Sequence, residues 1–127
     1  MRCLECSHGV ERDRWIARSK VVLMLRHDER HRIFEIVRAA YLMTNGRAIV
    51  SEWDGGTSID ADFAPGVALA TVGNLGATCR TLVGNAAARS GLGRRAREVI
   101  GARRQDKILR HAIARLPAGV FAGQAGP

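Results

Sequence analysis

Aromatic residues make up only 5 percent of this 127-residue chain, so its core has to be built from valine, isoleucine, leucine and alanine, which bury less area apiece. The same shortage removes the stacking platforms on which single-stranded nucleic acids are read, above all from the arginine-rich C-terminal half. Cysteine is scarce too. Cys3 and Cys6 have the spacing of a zinc knuckle with His8 nearby, but no second pair follows to close a four-ligand site, and Cys79 stands alone. Reduced thiols without a metal are therefore expected. No apolar run approaches the roughly 18 residues of a membrane span. The N-terminus lacks the basic-then-apolar pattern of a secretion signal, which makes the cytoplasm the expected compartment. Gly91-Leu-Gly93 lacks the third glycine and the preceding strand of a dinucleotide fingerprint, and no Ser-His-Asp or Cys-His order argues for a hydrolase.

What remains is an ordinary globular composition, 46 percent apolar and 25 percent charged, in a chain long enough for one domain. Its most informative stretch runs from Lys20 to Glu52. Val21 to Leu25 is an unbroken apolar run suited to a parallel sheet buried on both faces. Arg26 to Arg32 is too charged to bury and is expected to cross the surface at the carboxyl end of that strand, where open α/β sheets bind ligands. From Ile33 a helical period begins, with Ile36, Val37, Ala40, Tyr41 and Met43 on its apolar face, and Asn45-Gly46 supplies the left-handed stop. Ala48 to Val50 starts a second strand that carries Ser51 and Glu52 to the same edge. Gly55-Gly56-Thr57 then offers either backbone N–H groups for a phosphate or an ordinary turn. Asp60 and Asp62 solubilise the loop beyond it, and His27 and His31 flank the acidic pair of the charged loop, either as a base or, the commoner case, as surface histidines.

Three helical pieces follow. Leu75 to Val83 contains Gly76, Ala86 to Gly101 is interrupted by Gly91 and Gly93, and Ile108, Leu109, Ala112, Ile113 and Leu116 form a clean stripe that Pro117 stops. Residues 117–127 are a glycine-rich tail. Twenty Lys and Arg against twelve Asp and Glu give a net charge of +8, concentrated between Arg80 and Arg115. A basic helical face of that kind can track a phosphate backbone, but no zinc-finger, RNP or homeodomain pattern accompanies it, and a solvated helix face is the simpler reading.

The run RIFEIVRAAYLMTNGRAIVSE, with IARSKVVL before it, resembles the C-terminal donor-binding half of bacterial glycosyltransferases of the two-Rossmann, GT-B type. The likeness extends loosely through WDGGTSID, ATCRTLV, AAARSGL and ARRQDKILRHAI, from about Val10 to Leu116. It implies a single Rossmann-like, parallel α/β domain over residues 1–116, with C-terminal helices that pack back across it. The resemblance further implies a nucleotide-sugar donor, sugar transfer to an unspecified acceptor, and no obligatory metal or other cofactor. Glu35 matches the glutamate that grips the donor ribose. Counting back in the family's acidic spacing reaches His27, with the carboxylates at Asp28 and Glu29, either of which would face the sugar. Arg26 or Arg32 would face the diphosphate, with Glu52 arriving from the next strand. A glutamate in a first helical turn is also favoured by the macrodipole whatever its function, by about 0.3–1 kcal/mol. An acceptor-binding half lies outside this sequence, leaving a fragment, a module that pairs with another chain, and a fold that lost its reaction as open alternatives.

Overall fold

The structure is a computed structural model that describes residues 8–26, 30, 34–56, 59 and 62–117. At its centre β2 (Ile49–Glu52) lies between β1 (Val22–Met24) and β3 (Ala68–Ala70), all parallel, with Leu23 opposite Val50 and Val50 opposite Ala68. Helix α1 (Gly9–Arg18) precedes β1, α2 (Ile36–Thr44) crosses from β1 to β2, and a short 3-10 turn at Ala64–Gly66 leads into β3. Then come α3 (Val72–Gly84), α4 (Ala86–Ala102) and α5 (Gln105–Ala114). The chain is thus an α/β protein with a small parallel sheet. Among the described residues no helix is long and apolar enough to cross a membrane.

The period-two alternation of a strand sends neighbours to opposite faces, and β2 uses both. Ile49 enters one core with Met24, Phe34, Leu42, Met43 and Phe63. Val50 enters the other with Ala70 and Leu82, where α3 adds Leu75 and Cys79. Both strand residues are fully buried, each stabilising by about 1.5–3 kcal/mol. Phe34 meets Phe63 edge to face, with centroids 6.2 Å apart. Helix α4 contributes to both cores, Leu92 to one and Ala96 to the other.

Glycine explains how α4 comes so close. A Cβ on Gly93 would collide with the Gly46 carbonyl oxygen, and one on Gly66 would meet the Met43 methyl and stand 3.1 Å from the Ala96 Cα. The expected interruption at Gly91 and Gly93 is therefore corrected: α4 runs unbroken from Ala86 to Ala102, and Gly93 is buried in its docking face. The Asn45-Gly46 stop holds. Gly46 has φ +61°, its N–H donates to Met43 O, and Arg47 N–H donates to Leu42 O, which satisfies the last carbonyls of α2.

Other expectations shift. The first strand is shorter than Val21 to Leu25 and is covered on one face more than the other, since Leu23 and Leu25 are 42 and 50 percent exposed. Helix α2 begins at Ile36, and its buried stripe is Ala39, Leu42 and Met43, whereas Val37 is 85 percent exposed. The second strand starts at Ile49 rather than Ala48, and α3 is longer than Leu75 to Val83. The clean stripe of α5 does not pack back across the domain: Ile108, Leu109, Ile113 and Leu116 are all exposed. Helix α1 and strand β3 were not anticipated. Cys3, Cys6, His27, Asp28, Glu29, His31, Arg32, Ile33, Thr57 and Asp60 lie outside the described residues.

Candidate functional site

Parallel strands joined by a crossover helix bring the ends of β1 and β2 to one edge, and the residues that follow them meet there. Arg26, two residues past β1, donates from Nη2 and Nε to Glu52 Oε1 at 2.6 and 3.0 Å, and its backbone N–H donates to Oε2 at 3.3 Å. Its Nη1 donates to Asp54 Oδ2 at 2.6 Å. The Arg26 and Glu52 side chains are only 11 and 12 percent exposed, and Asp54 is 32 percent exposed. Glu52 therefore accepts one guanidinium from within a half-closed corner, while Asp54 uses its other oxygen to accept from Gly56 N–H at 2.9 Å.

The electrostatics follow from those bonds. Hydrogen bonds from Arg26 hold the Glu52 carboxyl below the usual glutamate range, against an opposing push from burial. Arg26 is raised in turn, first by Glu52 and then by Asp54. One cation faces two carboxylates, so the trio carries a net charge of −1. Three of the five guanidinium N–H groups are committed to those carboxylates, which leaves two for a ligand. Such a corner accepts hydrogen bonds from hydroxyls readily and repels an anion unless one carboxylate yields.

Glu35 is the residue before α2, and its carboxylate pairs with Arg38 Nε at 2.9 Å on the same helix. It borders an open groove of about 990 Å³ between α1 and α2, whose walls include Ile16, Phe34, Val37 and Tyr41. The groove is held at one side by Tyr41, which carries Arg12 over its ring at 5.2 Å. Hydrogen bonding to Tyr41, then to Arg12, holds the Asp13 carboxyl below its ordinary range, and the same Asp13 contact raises the Tyr41 phenol. The structure thus brings Arg26 and Glu52 into direct contact, sets Glu35 at the mouth of the groove, and adds Asp54. Asp54 was missed because only its distance past the strand end distinguishes it from any loop aspartate.

The basic tail resolves into two groups. Arg89 donates to the Leu82 and Val83 carbonyls, Arg97 lies over Gly46, and Arg103 pairs with Asp62 while stacking 4.6 Å from the Phe63 centroid. Arg80, Arg94 and Arg95 remain on the surface. Gly55, at φ +81°, and Gly56 form a turn whose Gly56 N–H is already taken by Asp54. Among the described residues no three His, Cys, Asp or Glu side chains gather as a metal site would require. No protein-family model, curated protein or solved structure matches the chain.

Proposed function

We propose that the chain is a Rossmann-like donor-binding module of the GT-B glycosyltransferase kind, which holds a nucleotide-sugar at the carboxyl edge of its sheet. The observation that supports this reading is the parallel β1–α2–β2 unit with Arg26, Glu52 and Asp54 gathered at its carboxyl edge. Glu35, at the start of α2 beside an apolar-walled groove, accepts hydrogen bonds from the ribose hydroxyls while the base lies along the groove. The Glu52 and Asp54 carboxylates, with Asp28 or Glu29, accept from sugar hydroxyls. Arg26 gives its two remaining N–H groups to the diphosphate, and Arg32 adds positive charge. The acceptor site comes from a partner chain or a further domain, so sugar transfer belongs to that assembly.

The test is an amide-resolved NMR titration of the chain with UDP, GDP and their sugar conjugates. Saturable shifts over Arg26 to Glu35 and Glu52 to Gly56, weakened about tenfold in Glu35→Gln, are expected for one lost charge-assisted hydrogen bond pair. A folded Glu35→Gln protein with unchanged nucleotide affinity overturns the assignment of the ribose. No shift with any of these ligands overturns the donor reading as a whole.

A further inference from the structure

The opposite, amino edge of the sheet holds a second concavity, of about 320 Å³, lined by Arg18, Lys20, Arg47 and Arg89 together with Ser19 and Ser90. Among the described residues no carboxylate lines it. Its composition follows from the topology: Lys20 precedes β1 and Arg47 precedes β2, and residues before neighbouring parallel strands share one edge. Arg18 ends α1, and Arg89 lies in the first turn of α4.

Backbone carbonyls hold the two central guanidinium groups. Arg47 donates from Nη1 to Ala17 O at 3.0 Å and from Nε to Asn45 O at 3.2 Å. Arg89 donates from Nη1 to Leu82 O at 2.8 Å and Val83 O at 2.9 Å. Those acceptors fix each fork and leave its other N–H groups available. Ala17 belongs to the last turn of α1, and Leu82 and Val83 to that of α3. The C-termini of α1, α2 and α3 thus oppose the four cations while the N-terminus of α4 adds to them, with equivalent charges of about −0.5 and +0.5 apiece, which leaves roughly three positive charges uncompensated. Arg97, whose guanidinium lies over Gly46 of the lining, adds to that excess. Like charges gathered in a concave site repel one another and focus potential onto it. A single carboxylate ligand is too weakly charged to balance it. The forked, fixed donors suit the oxygens of phosphate groups carried several to a molecule.

From this arrangement we propose that the amino-edge pocket is a binding site for a phosphate-bearing polyanion, held by Arg18, Lys20, Arg47 and Arg89 and separate from the carboxyl-edge corner. The chemistry is the same for a free oligophosphate and for the phosphate backbone of a nucleic acid, and the two probes below distinguish them.

The two tryptophans report on the two edges separately. Arg18 lies 5.3 Å from the Trp15 centroid beside the amino-edge pocket, and Trp53 follows Glu52 at the carboxyl edge. Full-length chain carrying Trp53→Phe is titrated with inorganic tripolyphosphate and, separately, with a short single-stranded oligonucleotide, and Trp15→Phe serves as the control for the other edge. A saturable Trp15 response, with little response from Trp53, is expected. By calorimetry, Lys20→Gln and Arg47→Gln are each expected to weaken the bound probe about tenfold, as one charge-assisted contact is lost. Because Arg47 also braces α1, the double variant Arg18→Gln/Lys20→Gln, confined to exposed side chains, gives the decisive comparison. Tighter binding of tripolyphosphate identifies a free oligophosphate, and tighter, steeply salt-dependent binding of the oligonucleotide identifies a nucleic-acid backbone. Absence of binding by either probe, or unchanged affinity in a folded Arg18→Gln/Lys20→Gln protein, overturns the site. Nucleotide-sugar binding read at Trp53 is unaffected by that outcome, so the two assignments fail independently.

Discussion

Replacing Gly91 and Gly93 by alanine, one at a time, should move stability in opposite directions although both lie in the middle of the same helix. Alanine is favoured over glycine in a helix interior by about 0.8–1.0 kcal/mol. At Gly91 a new Cβ meets nothing within 4 Å, so that gain is realised nearly in full. At Gly93 the new Cβ falls inside the contact distance of the Gly46 carbonyl oxygen and stands 3.1 Å from the Gly46 carbonyl carbon, backbone that cannot swing aside. Relief requires α4 to back away from the α2–β2 turn, and overpacking of that kind costs about 1–3 kcal/mol. Subtracting the propensity gain leaves Gly93→Ala destabilised by up to about 2 kcal/mol, so the two variants differ by about 1–3 kcal/mol. Urea denaturation followed by far-ultraviolet circular dichroism reads both, with the midpoint moving and the slope unchanged. If Gly93→Ala proves as stable as Gly91→Ala, the close docking of α4 on Gly46 is wrong.

Gly46→Ala should destabilise by about 1–2 kcal/mol, because φ +61° is unfavourable for a residue with a Cβ, and Gly46→Asn should cost less; thermal melts of the pair check this. Phe63→Ala removes a side chain that is 2 percent exposed and should cost about 3–5 kcal/mol, whereas Arg103→Gln, which removes the cation above that ring together with its pairing to the exposed Asp62, should cost about 0.5–1 kcal/mol. Stability should also fall in acid. The lowered Glu52 carboxyl stabilises the fold in full above the ordinary glutamate range, and that contribution disappears as pH drops through the range to the folded value below it. Urea midpoints measured from neutral to acid pH should show a shallower fall in Glu52→Gln than in the parent.

The β1–α2–β2 order was readable because each element had a local signal: an apolar run, a helical period and the Asn45-Gly46 stop. The strand β3 was not, since Ala68-Leu69-Ala70 contains no β-branched residue and becomes a strand only by pairing with Val50 to Glu52. The face of α2 was misassigned for a related reason. Apolar residues occur on most of its circumference, and burial is decided by the 3-10 turn and α4, which cover Leu42 and Met43 and leave Val37 bare. Gly93 looked like a break because propensity alone disfavours glycine in a helix, whereas here the missing Cβ is the contact. Arg26 and Glu52 could be placed on one edge from the strand ends, but their mutual pairing could not, and neither could the third partner Asp54. The amino-edge cations did leave a trace: Lys20 and Arg47 each stand just before an apolar strand, a pattern that becomes a cluster only once the strands are known to be parallel.

The compensated corner at the carboxyl edge makes the donor proposal sensitive to a single change of charge. Arg26 is shared between Glu52 and Asp54, so a diphosphate that approaches it meets a net charge of −1. Asp54→Asn removes one of those charges, frees the Nη1 group that now bonds Oδ2, and retains a side-chain oxygen for the Gly56 N–H. If Arg26 is the seat of the diphosphate, UDP should bind several-fold more tightly to Asp54→Asn than to the parent, while uridine, which has no phosphate, should not gain. The expected gain of about 1 kcal/mol corresponds to roughly fivefold in affinity. Calorimetric titration of the two proteins with both ligands decides it. Unchanged UDP affinity would mean that the phosphates do not touch Arg26. A gain shared equally by uridine would mean that Asp54 had been restraining the turn rather than repelling the ligand. Only a phosphate-dependent gain ties the anion to the guanidinium that β1 and β2 together hold in place.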